Sequence, residues 1–137
     1  MTADPPTPTG AELDLLAVLW SRGPSTVRDV HEVVSGRKPT RYTTVLKQLQ
    51  VMAEKGLVRR DESERSHIYK PSRPMEWTRK QLAGDLLHRA FGGSANGLLM
   101  GALAARKTSK QELGEIRRML DEYEANLAPS LTKKAKP

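Results

Sequence analysis

The chain has 137 residues, 37% of them hydrophobic and 28% charged, which suits one domain or a small domain with an appendage and leaves no room for a large enzyme. No apolar run approaches the length of a membrane span, and the absence of cysteine removes disulfides, thiolate metal sites and cysteine nucleophiles. The formal net charge of +7 points to an acidic partner, for which nucleic acid is the commonest choice in a small basic domain.

Residues 1–8 carry Pro and Thr without an apolar stretch, so a short disordered leader is expected there, with no secretory signal and a cytoplasmic location. Thr9 and Glu12 have capping-box spacing and open a helix that is apolar on Leu13, Leu16, Ala17 and Trp20 and stops at Gly23-Pro24. Ser25 or Thr26 can cap a second helix, with valines at 27, 30, 33 and 34 on one stripe and Gly36 as its end. Pro39-Thr40 opens a third, where Val45, Leu46, Leu49, Met52 and Ala53 share a face and Gly56 provides the stop. Leu57–Arg60 and Ser66–Lys70 then read as two strands about the charged turn 61–65. Three short helices followed by a hairpin is the order of a winged helix-turn-helix.

From Pro74 the pattern is helical only. Leu82, Leu86, Leu87, Ala90 and Phe91 form the stripe of a first helix, which Gly92-Gly93 breaks. Ser94 can cap a short helix holding Leu98, Leu99, Met100, Ala102 and Leu103. Ser109 and Glu112 repeat the capping-box spacing, and Leu113, Ile116, Leu120, Tyr123 and Leu127 follow as a heptad seam that Pro129 is expected to end. So narrow a seam on an otherwise charged helix suits a second copy of the chain; folding back onto the first half is the alternative.

The positive charge is concentrated. Between Arg22 and Arg60 there are nine basic residues against three acidic ones. On the third helix Thr40, Thr43, Thr44 and Lys47 point away from the core, with Arg41 and Gln48 at the flanks, a set suited to base edges and phosphates. An ordinary solvated face would carry more acid. Ser25, Thr26, Lys55 and Arg65 are candidates for phosphate contacts, although Asp61, Glu62 and Glu64 surround Arg65. Val51 on the same face has no partner unless the wing covers it, and Tyr42 is expected on the buried side. Trp20 and Tyr69 read as core or core rim, and Trp77 as packing where the two halves meet. His31, His67 and His88 are scattered, so no catalytic residue, metal site or cofactor is expected.

Arg41-Tyr42-Thr43-Thr44-Val45, then Leu46, Leu49 and Glu54-Lys55-Gly56-Leu57-Val58, with Arg65 and Tyr69 behind and Glu12-Leu13 leading to Leu19-Trp20, resemble the BlaI/MecI/CopY family of penicillinase-type repressors. The resemblance runs from about Gly10 to Leu127. It implies a homodimer on palindromic operators with TACA/TGTA-type half-sites, the third helix in the major groove and the wing on the backbone. Members that answer β-lactams are cleaved at an Asn-Phe bond, which aligns here with Gly101-Ala102, so the scissile pair is absent. Members that answer copper use paired cysteines, which this chain lacks.

The expected architecture is therefore a mainly α (α+β) fold: a leader over 1–8, a winged-helix DNA-binding domain over 9–71, a helical dimerisation domain over 72–128 and a disordered basic tail over 129–137. Dimerisation is assigned to Leu82, Leu86, Leu87, Phe91, Leu99, Leu103, Leu113, Ile116, Leu120 and Tyr123. The expected partners are double-stranded operator DNA, a second copy, and an inactivating protease or small-molecule inducer. A winged-helix protein-interaction module without specific DNA binding is the alternative.

Overall fold

The structure, a computed structural model, describes residues 4–135, with side chains through residue 127. The order is α1 (Gly10–Arg22), β1 (Ser25–Thr26), α2 (Val27–Arg37), α3 (Tyr42–Lys55), β2 (Val58–Asp61), β3 (Ile68–Pro71), α4 (Met75–Arg89), α5 (Ala95–Ala105) and α6 (Lys110–Ala135). The chain divides into two compact units, Met1–Leu86 and Leu87–Pro137. The division falls within α4, later than the boundary expected after Pro71.

The first unit is a winged helix. Its sheet has the order β1-β3-β2, all antiparallel. Ser25 pairs with Tyr69 and Thr26 with Ile68, while Val58 faces Pro71 and Arg60 faces Tyr69. β1 was not foreseen, because a two-residue strand has no periodicity of its own and exists only through its pairing with β3. Leu15, Leu16, Leu19, Val30, Val45, Leu49, Met52 and Tyr69 form a continuous core, each with at most 2% of its surface exposed.

Two of the three helix starts expected in this unit carry full capping boxes, Thr9 with Glu12 and Thr26 with Asp29. Gly23 (φ 97°) and Gly56 (φ 83°) close α1 and α3 with left-sided backbones that favour glycine. Other expectations change. The buried face of α1 is Glu12, Leu15, Leu16, Val18 and Leu19, with Ala17 exposed, so the predicted stripe is rotated. The leucine-rich run offers two apolar arcs, and packing against α2 and α3 selects one.

Gly36 lies within α2, whose cap is Lys38. Thr40 does not open α3, because its hydroxyl donates to the Lys38 carbonyl at 2.8 Å; the helix begins at Tyr42 behind Arg41. The leader is likewise held from Asp4 onward. Pro5 and Pro8 are buried, Gln81 Nε2 donates to the Pro5 carbonyl at 2.8 Å, and Arg73 pairs with Asp4 at 2.9 Å. Residues 1–3 lie outside the described residues.

At the base of the wing, Trp20 is half-buried and its indole donates to the Arg73 carbonyl at 3.1 Å. The Arg73 guanidinium in turn lies 4.6 Å from the centre of the Trp77 ring, so Trp77 packs within the first unit.

In the second unit Ser94 caps α5 by accepting from the Gly97 amide at 2.9 Å, and Ser109 accepts from the Glu112 amide at 3.1 Å ahead of α6. The backbone of α6 remains helical to Ala135, so Pro129 is not its end. Proline's fixed φ is helical, and its penalty is one lost backbone hydrogen bond and a local clash. The side chains of the expected basic tail, Lys133, Lys134 and Lys136, lie outside the described residues.

Candidate nucleic-acid interface

The surface of α3 is divided sharply. Val45, Leu49 and Met52 seal one face into the core, while Arg41, Thr43, Thr44 and Lys47 are exposed on the other and Gln48 is half-buried. No acidic residue lies in the first turn of α3. The helix therefore presents its amide end, two threonines and two cations outward, and this combination can donate to phosphate oxygens and to purine acceptors.

Five of the predicted contact residues come together. Thr40, Arg41, Thr44 and Gln48 line an open groove of about 530 Å³ between α3, α1 and the α2–α3 turn. Thr44, Lys47 and Gln48 line an adjoining groove of about 300 Å³ beside Thr9 and Glu12. Val51 is half-buried and lines this second groove, so the N-terminal turn of α1 is its neighbour, not the wing.

Three predicted phosphate anchors are engaged internally. Ser25 is 1% exposed and its hydroxyl donates to the Gly23 carbonyl at 2.8 Å. Thr26 accepts from the Asp29 amide at 3.1 Å, and the Asp29 carboxylate already occupies the amide end of α2 while pairing with Arg22 at 3.2 Å. The Thr26 amide, ahead of the nearby arginines, holds the Asp29 carboxyl below its ordinary range. Lys55 directs its ammonium to Glu12 Oε2 at 2.6 Å. Burial pushes the Glu12 carboxyl up, but Lys55 and the Thr9 amide and hydroxyl together hold it below its ordinary value. Arg65 is exposed in the wing turn and makes no ion pair among the described residues.

Sequence reasoning missed several basic neighbours. Arg37 and Lys38 line the groove beside Arg41, a location signalled by the Arg-Lys-Pro run just before α3. Tyr42, expected to be buried, is 45% exposed and shares a groove of about 370 Å³ with Arg28, Gln50, Arg65 and His67 between α3 and the wing. Arg60 forms part of the same groove; its hydrogen bond to Tyr69 and then its pair with Glu62, at 2.7 Å, strengthen its hold on its proton. Arg59 and Lys70 stand opposite each other on the exposed face of the hairpin, a like-charge pairing that an anion would relieve.

In the second unit, Leu87, Phe91, Leu99, Leu113 and Ile116 are half-buried, while Leu103, Leu120 and Tyr123 are exposed, at 38%, 49% and 65%. Phe91 is partly occupied by its own chain. A Cβ built on Gly101 would lie 3.3 Å from its ring, so the phenyl rests on the glycine face of α5. Leu99, Leu103 and Ile116 line a groove between α5 and α6. The remaining two residues assigned to dimerisation belong to the first unit, Leu82 half-buried and Leu86 exposed at 49%.

Among the described residues no three His, Asp or Glu side chains converge as metal ligands, and no helix is long and apolar enough to cross a membrane.

The penicillinase repressor family matches residues 8–122. The transcriptional regulator BlaI from two strains of Mycobacterium tuberculosis is 38% identical over 110 residues, 78% of either chain. The chain belongs to the penicillinase repressor family. The family match reaches through both units and into α6, so it includes the exposed face of α3 as well as most of the apolar seam. Among solved structures, the DNA-binding domain of the repressor BlaI is 20% identical, covering 54% of this chain and 90% of that one with a TM-score of 0.48. A MarR family protein from Bacillus stearothermophilus is 16% identical, covering 88% and 76%, with a TM-score of 0.46.

Proposed function

We propose that this chain is a cytoplasmic transcriptional repressor that binds double-stranded operator DNA as a homodimer, and not a catalyst. The observation that carries the reading is the exposed face of α3. Arg41, Thr43, Thr44 and Lys47 project from a helix whose opposite side is locked into the core, with Arg37 and Lys38 at its rim. Rigid backing lets such a face enter a major groove and read base edges, while the surrounding cations neutralise phosphates.

Thr40 and Gln48 flank the reading face. Arg65 is a backbone contact from the wing, and Arg28 and Tyr42 border the same groove. Ser25 has no free reach to DNA, and Thr26 and Lys55 have their side chains engaged in helix ends.

Two copies pair through Leu113, Ile116, Leu120 and Tyr123, whose exposure increases along α6, aided by Leu103 and Leu86. Such a dimer matches an operator with dyad symmetry and half-sites about one helical turn apart. Release would follow cleavage of the second unit or binding of a small inducer; the pair Gly101-Ala102 is not the Asn-Phe bond of the β-lactam-responsive relatives.

The test is a gel shift with DNA from upstream of the chain's own gene against random DNA of equal length at physiological salt. A discrete shift that survives competitor is expected, tighter than random DNA by about a thousandfold or more. Thr44→Ala and Lys47→Ala should lower that ratio more than Lys55→Ala. Equal weakening of specific and random binding by all three would remove the base-reading role, and a salt-insensitive protein partner with no DNA shift would favour an interaction module.

A further inference from the structure

The first turn of α3 lacks a cap of its own. Arg41 occupies the N-cap position with no side-chain hydrogen bond, and its carbonyl accepts the ordinary helical bonds from the Thr44 and Val45 amides at 3.1 and 3.2 Å. Helix ends usually obtain their direction from a capping side chain, as α1 and α2 do here. At α3 the constraint comes from outside the helix.

It comes from α2. His31 Nε2 lies 2.8 Å from the Thr40 carbonyl oxygen, and Ser35 Oγ donates to the same oxygen at 2.9 Å. A carbonyl only accepts, so the His31 proton sits on Nε2. The hydroxyl of Thr40 turns back to the Lys38 carbonyl at 2.8 Å, and Pro39 between them has a fixed φ. The turn is thereby tied to α2 at the residue just before Arg41.

His31 also reaches the residue just after it. The imidazole meets the Tyr42 ring edge to face, with centroids 5.6 Å apart and planes at 72°. One side chain of α2 therefore holds the backbone on one side of Arg41 and the aromatic ring on the other. Neither His31 nor Ser35 belongs to the exposed face of α3; both are half-buried.

We infer that His31, assisted by Ser35, is a positioning residue for sequence recognition: acting through the Thr40 carbonyl and the Tyr42 ring, it sets where Arg41, Thr43 and Thr44 meet the bases. The inference rests on the DNA-reading role proposed above and adds a determinant outside the DNA-contacting surface. Non-specific binding depends on the number of cations near the backbone and tolerates a displaced first turn. Specific binding needs the donors in register with base edges, because a small displacement breaks a bidentate contact.

The experiment uses the full-length chain and a duplex that the wild-type protein selects from a random-sequence library, compared with an unselected duplex. Affinities are measured over a salt series for His31→Ala, His31→Gln and Ser35→Ala, with circular dichroism and Tm as the check of fold. His31→Ala is expected to lose about tenfold on the selected duplex while keeping its affinity for unselected DNA and its salt slope. His31→Gln, which keeps a donor, should recover most of that loss, and Ser35→Ala should show a smaller loss of the same kind.

A folded His31→Ala with the wild-type ratio overturns the inference, as does equal weakening on both duplexes or a His31→Gln no better than the alanine. Should His31→Ala fail to fold, Ser35→Ala decides, and an unchanged ratio there is the negative result. Failure of the wild-type chain to select any sequence would show before any variant is made, and would remove the base-reading proposal and this inference together.

Discussion

The two units solve the problem of burying apolar surface differently. In the first, eight side chains from α1, α2, α3 and β3 are almost fully enclosed, and the buried carboxylate of Glu12 has its own cation in Lys55. In the second, none of the described residues from Leu87 onward is fully buried, and Met100, Leu103, Met119, Leu120, Tyr123 and Leu127 are all substantially exposed. A unit with its own core folds on its own account. A unit with an uncovered apolar seam draws its stability from whatever covers the seam.

This difference can be tested from its strongest consequence downward. Leu49→Ala removes a fully enclosed side chain between α3 and the rest of the core, and should cost about 2–5 kcal/mol in denaturant unfolding of the first unit. A loss below about 1 kcal/mol would mean that this core is much looser than its burial implies.

The corresponding change in the second unit, Leu120→Asp, should leave the stability of the isolated chain within about 0.5 kcal/mol, because the side chain is 49% exposed. Its expected effect is on association: a dimer constant weakened by about a hundredfold in sedimentation, with operator affinity falling in parallel. Monomer destabilisation without a change in association state would instead place the seam against its own chain.

The smallest effect sharpens the account of the first unit. Lys55→Met leaves the Glu12 carboxylate without its cation and should lower stability by about 1–2 kcal/mol at neutral pH, reduced by solvent because the Lys55 side chain is 38% exposed. The pH dependence has a definite sign. The Glu12 carboxyl is held below its ordinary value of 4.5 in the folded chain, so its contribution is complete above that value and is lost as pH falls through the folded pKa. In the variant, burial acts on the carboxyl without the lysine to oppose it. The stability gap between wild type and variant should therefore narrow below about pH 4.5, and a gap that widened on acidification would contradict the pairing.

Local chemistry was legible at the capped helix starts and the glycine stops, and less so in the turn before α3, where the Thr40 hydroxyl is taken by the Lys38 carbonyl. Thr9 with Glu12 and Thr26 with Asp29 form boxes whose partners are three residues apart, although the second box was foreseen only through its Thr26 cap. Gly23 and Gly56 occupy backbone conformations that other residues resist. The division of α3 into a core face and a cationic face was likewise visible, since helical periodicity assigns both at once. Other misses belong to partners distant in the chain. The two-residue β1 has no signature until β3 pairs with it, and Lys55 resembles a free cation until Glu12, 43 positions away, takes it.

By itself, the sequence determined the capped starts of α1, α2, α5 and α6, the glycine stops of α1 and α3, the helix-helix-helix-hairpin order, the basic outward face of α3 and the apolar seam of α6, because each is written in neighbouring residues. Only the tertiary structure decided which arc of α1 turns inward, that Tyr42 stays exposed beside His31, that Pro5 and Pro8 are covered, and which cations remain available. These depend on contacts between residues far apart in the chain, where the geometry of packing, and not local propensity, selects among arrangements the sequence leaves equally open.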